Sequence, residues 1–260
     1  MNKKAINLVL AIISPAKSLD FDSKIPPVKS SKNRFPEETK RLATGIRNLT
    51  KSKLKKIMPV SDNLIDLNRG RYAEFFKQPE RAAIYAYSGD VYTGFEAKSV
   101  DNETMSFSQD HLRILSGLYG LLRPLDPIRP HRLEMGTKWA PRYKKLTDFW
   151  GDKIVRELSN DLDVFTDRVI LNLASNEYWA SVKPHIGKLN ARIIEVDFRR
   201  EGPNGPQFVS FEAKRARGMM ARFMCENHIS DVETLKSFNS DGYQYDSNSS
   251  SKDALHFIRS

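Results

Sequence analysis

Cysteine is nearly absent from the sequence, since Cys225 is the single one among 260 residues. One cysteine allows no internal disulfide and no zinc site built from several thiolates, which suits a reducing cytoplasm. Histidine is also sparse, and none of the five histidines has another one four residues away. Because no His-Glu-x-x-His motif occurs either, a dedicated metal site has no support, and we expect neither a metal nor a cofactor.

Long apolar runs are missing as well, and this excludes a polytopic membrane protein. At the start of the chain, Lys3 and Lys4 precede the apolar stretch Ala5–Ile13. A secretory signal begins in this way, but an asparagine interrupts the stretch and Lys17 follows it closely. We therefore favour a buried strand over Leu8–Ile13 and expect no membrane partner.

Several enzyme motifs are missing too. The sequence contains no P-loop, no Rossmann glycine pattern and no Gly-x-Ser-x-Gly elbow. Ser14–Lys17 and Ser61–Asn63 match two of the three motifs of penicillin-recognising enzymes, but the third, Lys-Thr-Gly, is absent. Both matches are also ordinary helix-start sequences, and we interpret them in that way.

Positive charge is what the sequence has in excess, with 42 Lys and Arg against 32 Asp and Glu and a net charge of +10. Such an excess favours polyanions, acidic membrane surfaces or anionic small molecules, although many soluble proteins are basic without using it. Hydrophobic residues make up 40% of the chain, which is enough to bury a real core.

The pattern of apolar residues predicts both strands and helices. Strands are predicted over Leu8–Ile13, Ala82–Tyr87, Val169–Leu173, Ile193–Phe198 and Phe208–Phe211. Helices are predicted from Pro36, over Ser61–Phe76, over Ser106–Ser116, over Thr147–Leu158 and over Phe211–His228. The tail from Ser237 is polar, and its segments Asn239–Gly242 and Ser247–Lys252 are predicted as loops. Since these elements alternate without a regular rhythm and no repeat or linker divides the chain, we predict one α+β domain over residues 1–260.

The segment His111–Trp139 combines glycine with basic residues. We predict a helix, then the turn Gly117-Leu118-Tyr119-Gly120, then a second short helical stretch. This arrangement is a helix-hairpin-helix, in which glycines let the backbone approach a DNA phosphate and amide groups bind it. The alternative is a tight corner between two helices, where the glycines serve packing. Eight basic residues lie in or just after this segment: Arg113, Arg123, Arg129, Arg132, Lys138, Arg142, Lys144 and Lys145.

The predicted helix Phe211–His228 is amphipathic. Its Met and Phe side chains form an apolar stripe on one side, which we interpret as core. The opposite side carries four basic residues: Lys214, Arg215, Arg217 and Arg222. Gly218 lies in the middle of this basic side, where a glycine costs about 1 kcal/mol relative to alanine. We expect something to press against its backbone, either a phosphate group or another protein segment.

Seven blocks of the sequence are distinctive as a set. They are ISPAKSLDF (Ile13–Phe21), YSGDVYTGF (Tyr87–Phe95), HLRILSGLYGLLRPLDPIRPHRLEMGTKW (His111–Trp139), FWGDKI (Phe149–Ile154), NLASNEYWASVKP (Asn172–Pro184), AKRARGMMARF (Ala213–Phe223) and FNSDGYQYD (Phe238–Asp246). In this order they resemble the bacterial YaaA family, a group of cytoplasmic proteins linked to peroxide-stress resistance. The resemblance runs from about Leu8 to the C-terminus and leaves Met1–Asn7 as an N-terminal extension.

The resemblance implies a mixed α/β single domain, with a mixed sheet flanked by helices, a basic cleft and a helix-hairpin-helix element like that of DNA glycosylases. It also implies binding of double-stranded DNA, intact or distorted as in a bubble, and protection of DNA from oxidative damage by keeping free intracellular iron low. The hairpin glycines would be Gly117 and Gly120. The cations of the cleft would be Lys17, Arg113, Arg123, Arg129, Arg132, Lys183, Lys214, Arg215 and Arg217. The family supplies no catalytic residue that transfers to this chain.

Two functions therefore stay open. One is a cytoplasmic DNA-binding protein of the peroxide-stress response that performs no chemistry and affects free iron indirectly, since the sequence shows no cluster of carboxylates and histidines for iron. The other is an enzyme acting on a nucleobase or a nucleotide-like small molecule, or a DNA-repair enzyme, in the same cleft. The enzyme would need a pocket that brings Lys17, Asp90 and Asn172 within hydrogen-bond reach of one another.

Overall fold

The computed structural model describes residues 8–163, 165 and 167–260, so the predicted extension Met1–Asn7 lies outside the described residues. The described residues form eleven β-strands: β1 (Leu8–Ile13), β2 (Ser18–Leu19), β3 (Arg81–Ala82), β4 (Tyr87–Ser88), β5 (Leu112–Ser116), β6 (Gly120–Leu122), β7 (Pro127–Ile128), β8 (Arg168–Leu173), β9 (Arg192–Arg200), β10 (Tyr243–Tyr245) and β11 (Ala254–Arg259). The same residues form eleven α-helices: α1 (Pro36–Arg47), α2 (Lys51–Ile57), α3 (Asp62–Ala73), α4 (Ala83–Ala86), α5 (Asp90–Phe95), α6 (Asn102–His111), α7 (Leu146–Trp150), α8 (Lys153–Leu162), α9 (Asn176–Trp179), α10 (Ser210–Glu226) and α11 (Val232–Leu235).

Seven of these strands form one mixed sheet in the order β10-β11-β9-β8-β1-β5-β6. The five central strands are parallel, while β10 and β6 at the two edges run antiparallel to their neighbours. Two further pairings, β2 with β4 and β3 with β7, tie loop segments together. The prediction of a single domain with a mixed sheet flanked by helices is confirmed.

The strand β1 lies in the middle of the sheet, between β5 and β8. Residues Val9–Ile13 are all 0% exposed, because a central parallel strand is covered on both faces. Such a strand needs apolar side chains at consecutive positions rather than at alternate ones, and the sequence LVLAII provides them. The strand predicted at this place is therefore confirmed.

Helix α10 packs against α5 at two glycines, Gly218 of α10 and Gly94 of α5. A β-carbon at Gly218 would overlap the carbonyl oxygen of Val91, and one at Gly94 would overlap the carbonyl oxygen of Arg215. The two helix backbones therefore touch, and the group that presses against Gly218 is α5. Of the two alternatives predicted for this glycine, the protein segment is the correct one.

The predicted helix-hairpin-helix is wrong. The first predicted helix ends before β5, and β6 follows β5 antiparallel, so Gly117 and Gly120 stand at the two ends of the turn of a β-hairpin. Both glycines are buried, since a β-carbon at Gly117 would overlap the carbonyl oxygen of Leu133, and Gly120, with φ 70°, lies against the Trp150 ring. The sequence LRILS shows no period of two because β5 is buried on both faces, and such a run fits a buried helix equally well.

The other predicted elements divide into confirmed and wrong ones. Strands β8 and β9 and the helices that begin at Pro36 and Asp62 confirm the predictions. The predicted strand Ala82–Tyr87 is wrong, since α4 lies between the short strands β3 and β4. The predicted strand Phe208–Phe211 is also wrong, because α10 begins at Ser210. The polar tail also contains the strands β10 and β11, which were not predicted and which lie outside its two predicted loops.

Across residues 8–163, 165 and 167–260, the helices are all too short or too polar to cross a bilayer. The same residues contain no group of three or more His, Cys, Asp or Glu side chains that could hold a metal ion. Cys225 is buried on α10, and this burial raises the pKa of its thiol.

Candidate functional site

The carboxyl ends of the parallel strands β1, β5 and β8 lie together at one edge of the sheet. The chain runs from β1 to β5 on one side and returns later to β8 on the other side, so the strand order reverses at β1. In open α/β sheets such a reversal leaves a crevice beyond the strand ends, where ligands bind. The loops that follow these three strands line two cavities at this edge.

The first cavity lies beyond β1 and β5 and measures about 10 Å³, which is the room of one water molecule. It is lined by an ion-pair cluster in which Lys17 and Arg132 approach Glu134, at 3.5 and 2.8 Å. Beside them the Tyr87 hydroxyl donates to Ser116 Oγ at 3.3 Å. One carboxylate thus pairs with two of the cations predicted for the cleft.

His131 lines the same small cavity and is buried. Its Nδ1 lies 2.7 Å from the carbonyl oxygen of Arg129, and its ring packs edge-on against Tyr87 and Tyr119. Burial lowers the pKa of His131 to about 4, so the ring is neutral at pH 7. A neutral imidazole bonded to a backbone carbonyl is a structural group here.

The second cavity lies beyond the end of β8, beside the part of β9 that extends past it, and measures about 380 Å³. This volume is in the range of small-ligand sites. The polar lining comes from five elements: Asn172 of β8, Asn176 of α9, Glu195 and Asp197 of β9, His256 of β11 and Arg217 of α10. Phe208, just before α10, adds an aromatic wall.

Arg217 reaches this second cavity without a protein partner. The residue is half-buried, its Nε is fully buried, and within the described residues its guanidinium forms no hydrogen bond or ion pair. Burial lowers the pKa of Arg217, while the negative charges of Asp197 and Glu195 oppose that shift. Because an arginine keeps its charge even when partly buried, unpaired donors of a cation line the cavity.

Glu195 is the acceptor on the opposite side of the lining. The buried amide of Asn172 holds it, since Nδ2 donates to Glu195 Oε2 at 2.7 Å while Oδ1 accepts from the Ala174 backbone at 3.1 Å. The second oxygen of Glu195 bonds to nothing in the described residues. Asp197, by contrast, is paired with Arg199 at 2.7 Å. The second cavity therefore combines one fixed carboxylate with one unpaired guanidinium.

The segment that leads from this cavity into α10 exposes two aromatic rings. Phe208 is 54% and Phe211 is 62% exposed, the two highest values among the large apolar side chains of the described residues. Lys214 and Arg215 are exposed and form no ion pair within the same part of the chain. Since residues three and four apart share one face of a helix, Phe211 and these two cations form one surface. We call Phe208, Phe211, Lys214 and Arg215 the α10 surface.

Comparison with known sequences shows the family to which this chain belongs. The sequence model of the family described as peroxide stress protein YaaA matches residues 9–249. The chain belongs to this family. A UPF0246 protein of Rhizorhabdus wittichii is 53% identical over 252 residues, which cover 96% of this chain and 99% of that protein. A UPF0246 protein of Alteromonas mediterranea is 46% identical over 257 residues, which cover 96% of this chain and 98% of that protein. The resemblance found in the sequence is confirmed.

In this member of the YaaA family, the cations predicted for the cleft fall into two groups. The first group is ion-paired: Arg113 with Asp161 at 2.6 Å, Arg123 with Asp126 at 3.1 Å, Arg129 with Glu80 at 2.8 Å, and Lys17 and Arg132 with Glu134. In the second group, Lys183, Lys214 and Arg215 are exposed, and Arg217 lines the second cavity. The structure thus brings together the cations of α10, and it places Gly117 and Gly120 in the protein interior.

The pocket predicted from Lys17, Asp90 and Asn172 is not formed by hydrogen bonds. Lys17 pairs with Glu134 and Asn172 with Glu195, while Asp90 lies in the first turn of α5. No hydrogen bond joins any two of the three side chains within the residues described. The polar groups of this edge are therefore distributed over two separate cavities.

Sequence reasoning missed Phe208, Phe211 and Glu195 as site residues. The segment FVSF was interpreted as a buried strand because aromatic and β-branched residues are typical of strands. The signal for the correct structure was present, since Ser210 followed by Glu212 is a helix-start sequence. No local signal identified Glu195, whose role depends on a partner from a neighbouring strand.

Proposed function

We propose that the protein acts in the peroxide-stress response of the cytoplasm by binding double-stranded DNA through the α10 surface, with a preference for duplexes that are locally open. Membership of the YaaA family supports the link to peroxide stress. In this proposal the protein protects DNA at the DNA itself and lowers free iron only indirectly. The proposed binding step involves no chemistry.

The observation that carries the proposal is the combination of two exposed aromatic rings with two unpaired cations on the α10 surface. An exposed ring can stack on an unpaired base, which is worth about 1–3 kcal/mol per base. Lysine and arginine neutralise phosphates and release counterions, which supplies affinity without sequence preference. A surface with both groups fits DNA in which bases are accessible beside the backbone, as they are in a bubble.

The charge of the whole chain supports the same partner, because a net charge of +10 attracts polyanions at long range. The arginines of the hairpin region contribute little to direct contacts, since carboxylates of the protein already neutralise them. Lys183 is exposed and is included in the proposed contact as a further cation.

Fluorescence anisotropy with a duplex, the same duplex carrying a bubble, and a single strand tests the proposal across a salt series. We expect the bubble duplex to bind most tightly and all affinities to fall steeply with salt. The double variant Lys214→Glu/Arg215→Glu removes two phosphate contacts, so the slope of log affinity against log salt should fall by about 2. Phe211→Ser should reduce the preference for the bubble and leave duplex affinity unchanged, because only unpaired bases stack on the ring.

The matched control is Lys53→Glu/Lys56→Glu, the same charge change at two exposed lysines of α2. This variant should keep the salt slope of the unmodified protein. If the two double variants lose DNA affinity equally, the loss comes from net charge alone, and the α10 surface is not the binding site. Absence of binding to all three DNAs at low salt would reject DNA binding altogether.

A further inference from the structure

The unpaired guanidinium of Arg217 is the starting observation. Buried donors in proteins nearly always have a hydrogen-bond partner, and one without a protein partner needs an explanation such as a ligand or an ordered water. Nε of Arg217 is shielded from solvent and has no partner within the described residues, and the two terminal nitrogens form no hydrogen bond or ion pair there either. Because a ligand cannot reach the shielded Nε, the terminal nitrogens are the donors that an acceptor in the cavity would meet. The residue lines the second cavity, whose volume of about 380 Å³ gives room for an acceptor larger than water.

The acidic groups of the second cavity decide what kind of acceptor fits. A simple anion placed against Arg217 would also face Glu195, an exposed carboxylate with no cationic partner in the described residues, and like charges repel. Glu195 is held in place by Asn172 and keeps an oxygen that accepts hydrogen bonds. A ligand that satisfies both sides therefore brings acceptors to Arg217 and donors to Glu195.

The remaining walls of the second cavity favour a flat ring. Phe208 is 54% exposed and lines this cavity, so one of its faces is available for stacking. Val196 and Ala254 add apolar lining. Nucleobases have this combination of properties, because their edges carry acceptors beside N–H donors and every base has a π-face.

We propose that the second cavity binds a single nucleobase that carries an exocyclic amino group, with Arg217 donating to acceptors on its edge, Glu195 accepting from the amino group, and Phe208 stacking on its face. Two sources supply this chemistry. One is an unpaired base of bound DNA, and for this source the inference rests on the proposed function. The other is a free nucleoside, which requires no DNA binding.

Titration calorimetry with guanosine, adenosine, cytidine and thymidine tests the cavity without phosphate groups. We expect the three nucleosides that carry an exocyclic amino group to bind more tightly than thymidine, because the amino group donates to Glu195. Arg217→Met replaces the aliphatic part of the side chain with one of similar length and removes the guanidinium donors, so it should weaken guanosine binding by about tenfold or more. Glu195→Gln should reduce the difference between amino-bearing nucleosides and thymidine.

The matched control for Arg217→Met is Arg156→Met, which removes an exposed arginine of α8 whose ion pair among the described residues is with Asp152. It should bind guanosine like the unmodified protein. Inorganic phosphate and acetate are the further probes. If either anion binds as tightly as guanosine and loses this binding in Arg217→Met, the cavity is an anion site and base recognition is overturned. Failure of all four nucleosides to bind would overturn the inference for free nucleosides.

A bubble duplex with 2-aminopurine at an unpaired position tests DNA as the source. We expect its fluorescence to change on binding, and Arg217→Met to remove this change while anisotropy still reports bound DNA through the α10 surface. Bound DNA with no change of fluorescence, together with failed nucleoside titrations, would overturn the inference and keep the proposed function. Nucleoside binding without any DNA binding would support the base site in the second cavity and reject the proposed function.

Discussion

The segments Leu112–Arg132 and Phe208–Arg217 contain the same kinds of residue in opposite environments. Both combine basic side chains with glycine or aromatic rings close by in the sequence. In the first segment Arg113 is buried and the aromatic rings are packed inside the protein, whereas in the second Phe211 and Lys214 are exposed. The sequence signals for DNA binding were stronger in the first segment, yet its residues are the less available ones.

The difference lies in the acidic partners. Arg113 is paired with Asp161 and Arg129 with Glu80, carboxylates that are about fifty residues away in the sequence. The local sequence around each arginine shows few acids, so the count of local charge overestimates the number of free cations. A cation is available to a ligand only where no distant carboxylate reaches it, as on the α10 surface.

Removing the buried ion pair of the hairpin region should have the largest effect. Arg113→Ala leaves Asp161 without its closest partner in a buried site, although Arg34 still lies 2.7 Å from that carboxylate. We expect a loss of about 3–4 kcal/mol in the free energy of unfolding, measured by urea denaturation. The exposed counterpart Arg215→Ala should change stability by less than about 0.5 kcal/mol. If Arg113→Ala is stable but binds DNA more weakly, Arg113 contributes to DNA binding and is not a structural ion-pair residue.

The glycine of α10 should have the next largest effect. Gly218→Ala places a methyl group against the Val91 carbonyl, so α5 and α10 have to move apart at a cost of about 2–3 kcal/mol in the free energy of unfolding. Gly70→Ala on α3 is the matched control, because nothing lies within 4 Å of that position, and it should stabilise the protein by about 1 kcal/mol. Unchanged stability of Gly218→Ala would contradict the close contact between the backbones of α5 and α10.

These comparisons also show how far the sequence predicts the fold. The amphipathic helix α10 was predictable, because a clear period of 3.6 residues fixes its type. The strand β1 was predicted from a short apolar run that ends at a Ser-Pro turn. The strand β5 was not, since a run buried on both faces has neither period. The strand β11 was missed for a different reason, because Leu255 and Phe257 alternate with polar and half-buried residues in a serine-rich tail that resembles a loop.

The candidate site was less predictable than the fold. The predicted set contains Lys214, Arg215 and Arg217, since a basic helix face is visible in one sequence. Glu195 and Phe208 lie near them because β9 extends past the end of β8 and α10 begins beside the second cavity. This arrangement depends on the pairing of the strands and is not visible in the local sequence. Pairings between distant residues therefore set the limit of what the sequence predicts here.

The smallest effect we expect is the pH dependence of stability that comes from His131, which is buried beside the β5–β6 hairpin. Burial lowers the pKa of His131 to about 4 from the ordinary 6.5, so between these values the unfolded chain binds a proton that the folded protein does not. Stability from this group is therefore complete above pH 6.5 and falls as the pH decreases, by about 2 kcal/mol at pH 5. His131→Asn keeps an N–H donor for the Arg129 carbonyl and removes the titration. The variant should be less stable at pH 7.5, and its deficit should shrink by about 2 kcal/mol at pH 5 in urea denaturation.

The same pH range separates the two regions directly. The cations of the α10 surface are a lysine and an arginine, so we expect its electrostatic contacts to persist while the hairpin region loses stability. An NMR titration of the His131 ring gives the independent measurement, and its signal should not move above pH 5. If the ring titrates near 6.5, or if the unmodified protein and His131→Asn show the same pH dependence, water reaches the hairpin interior. The arginines of that region would then be candidates for ligand contact again, because solvent access would weaken their ion pairs.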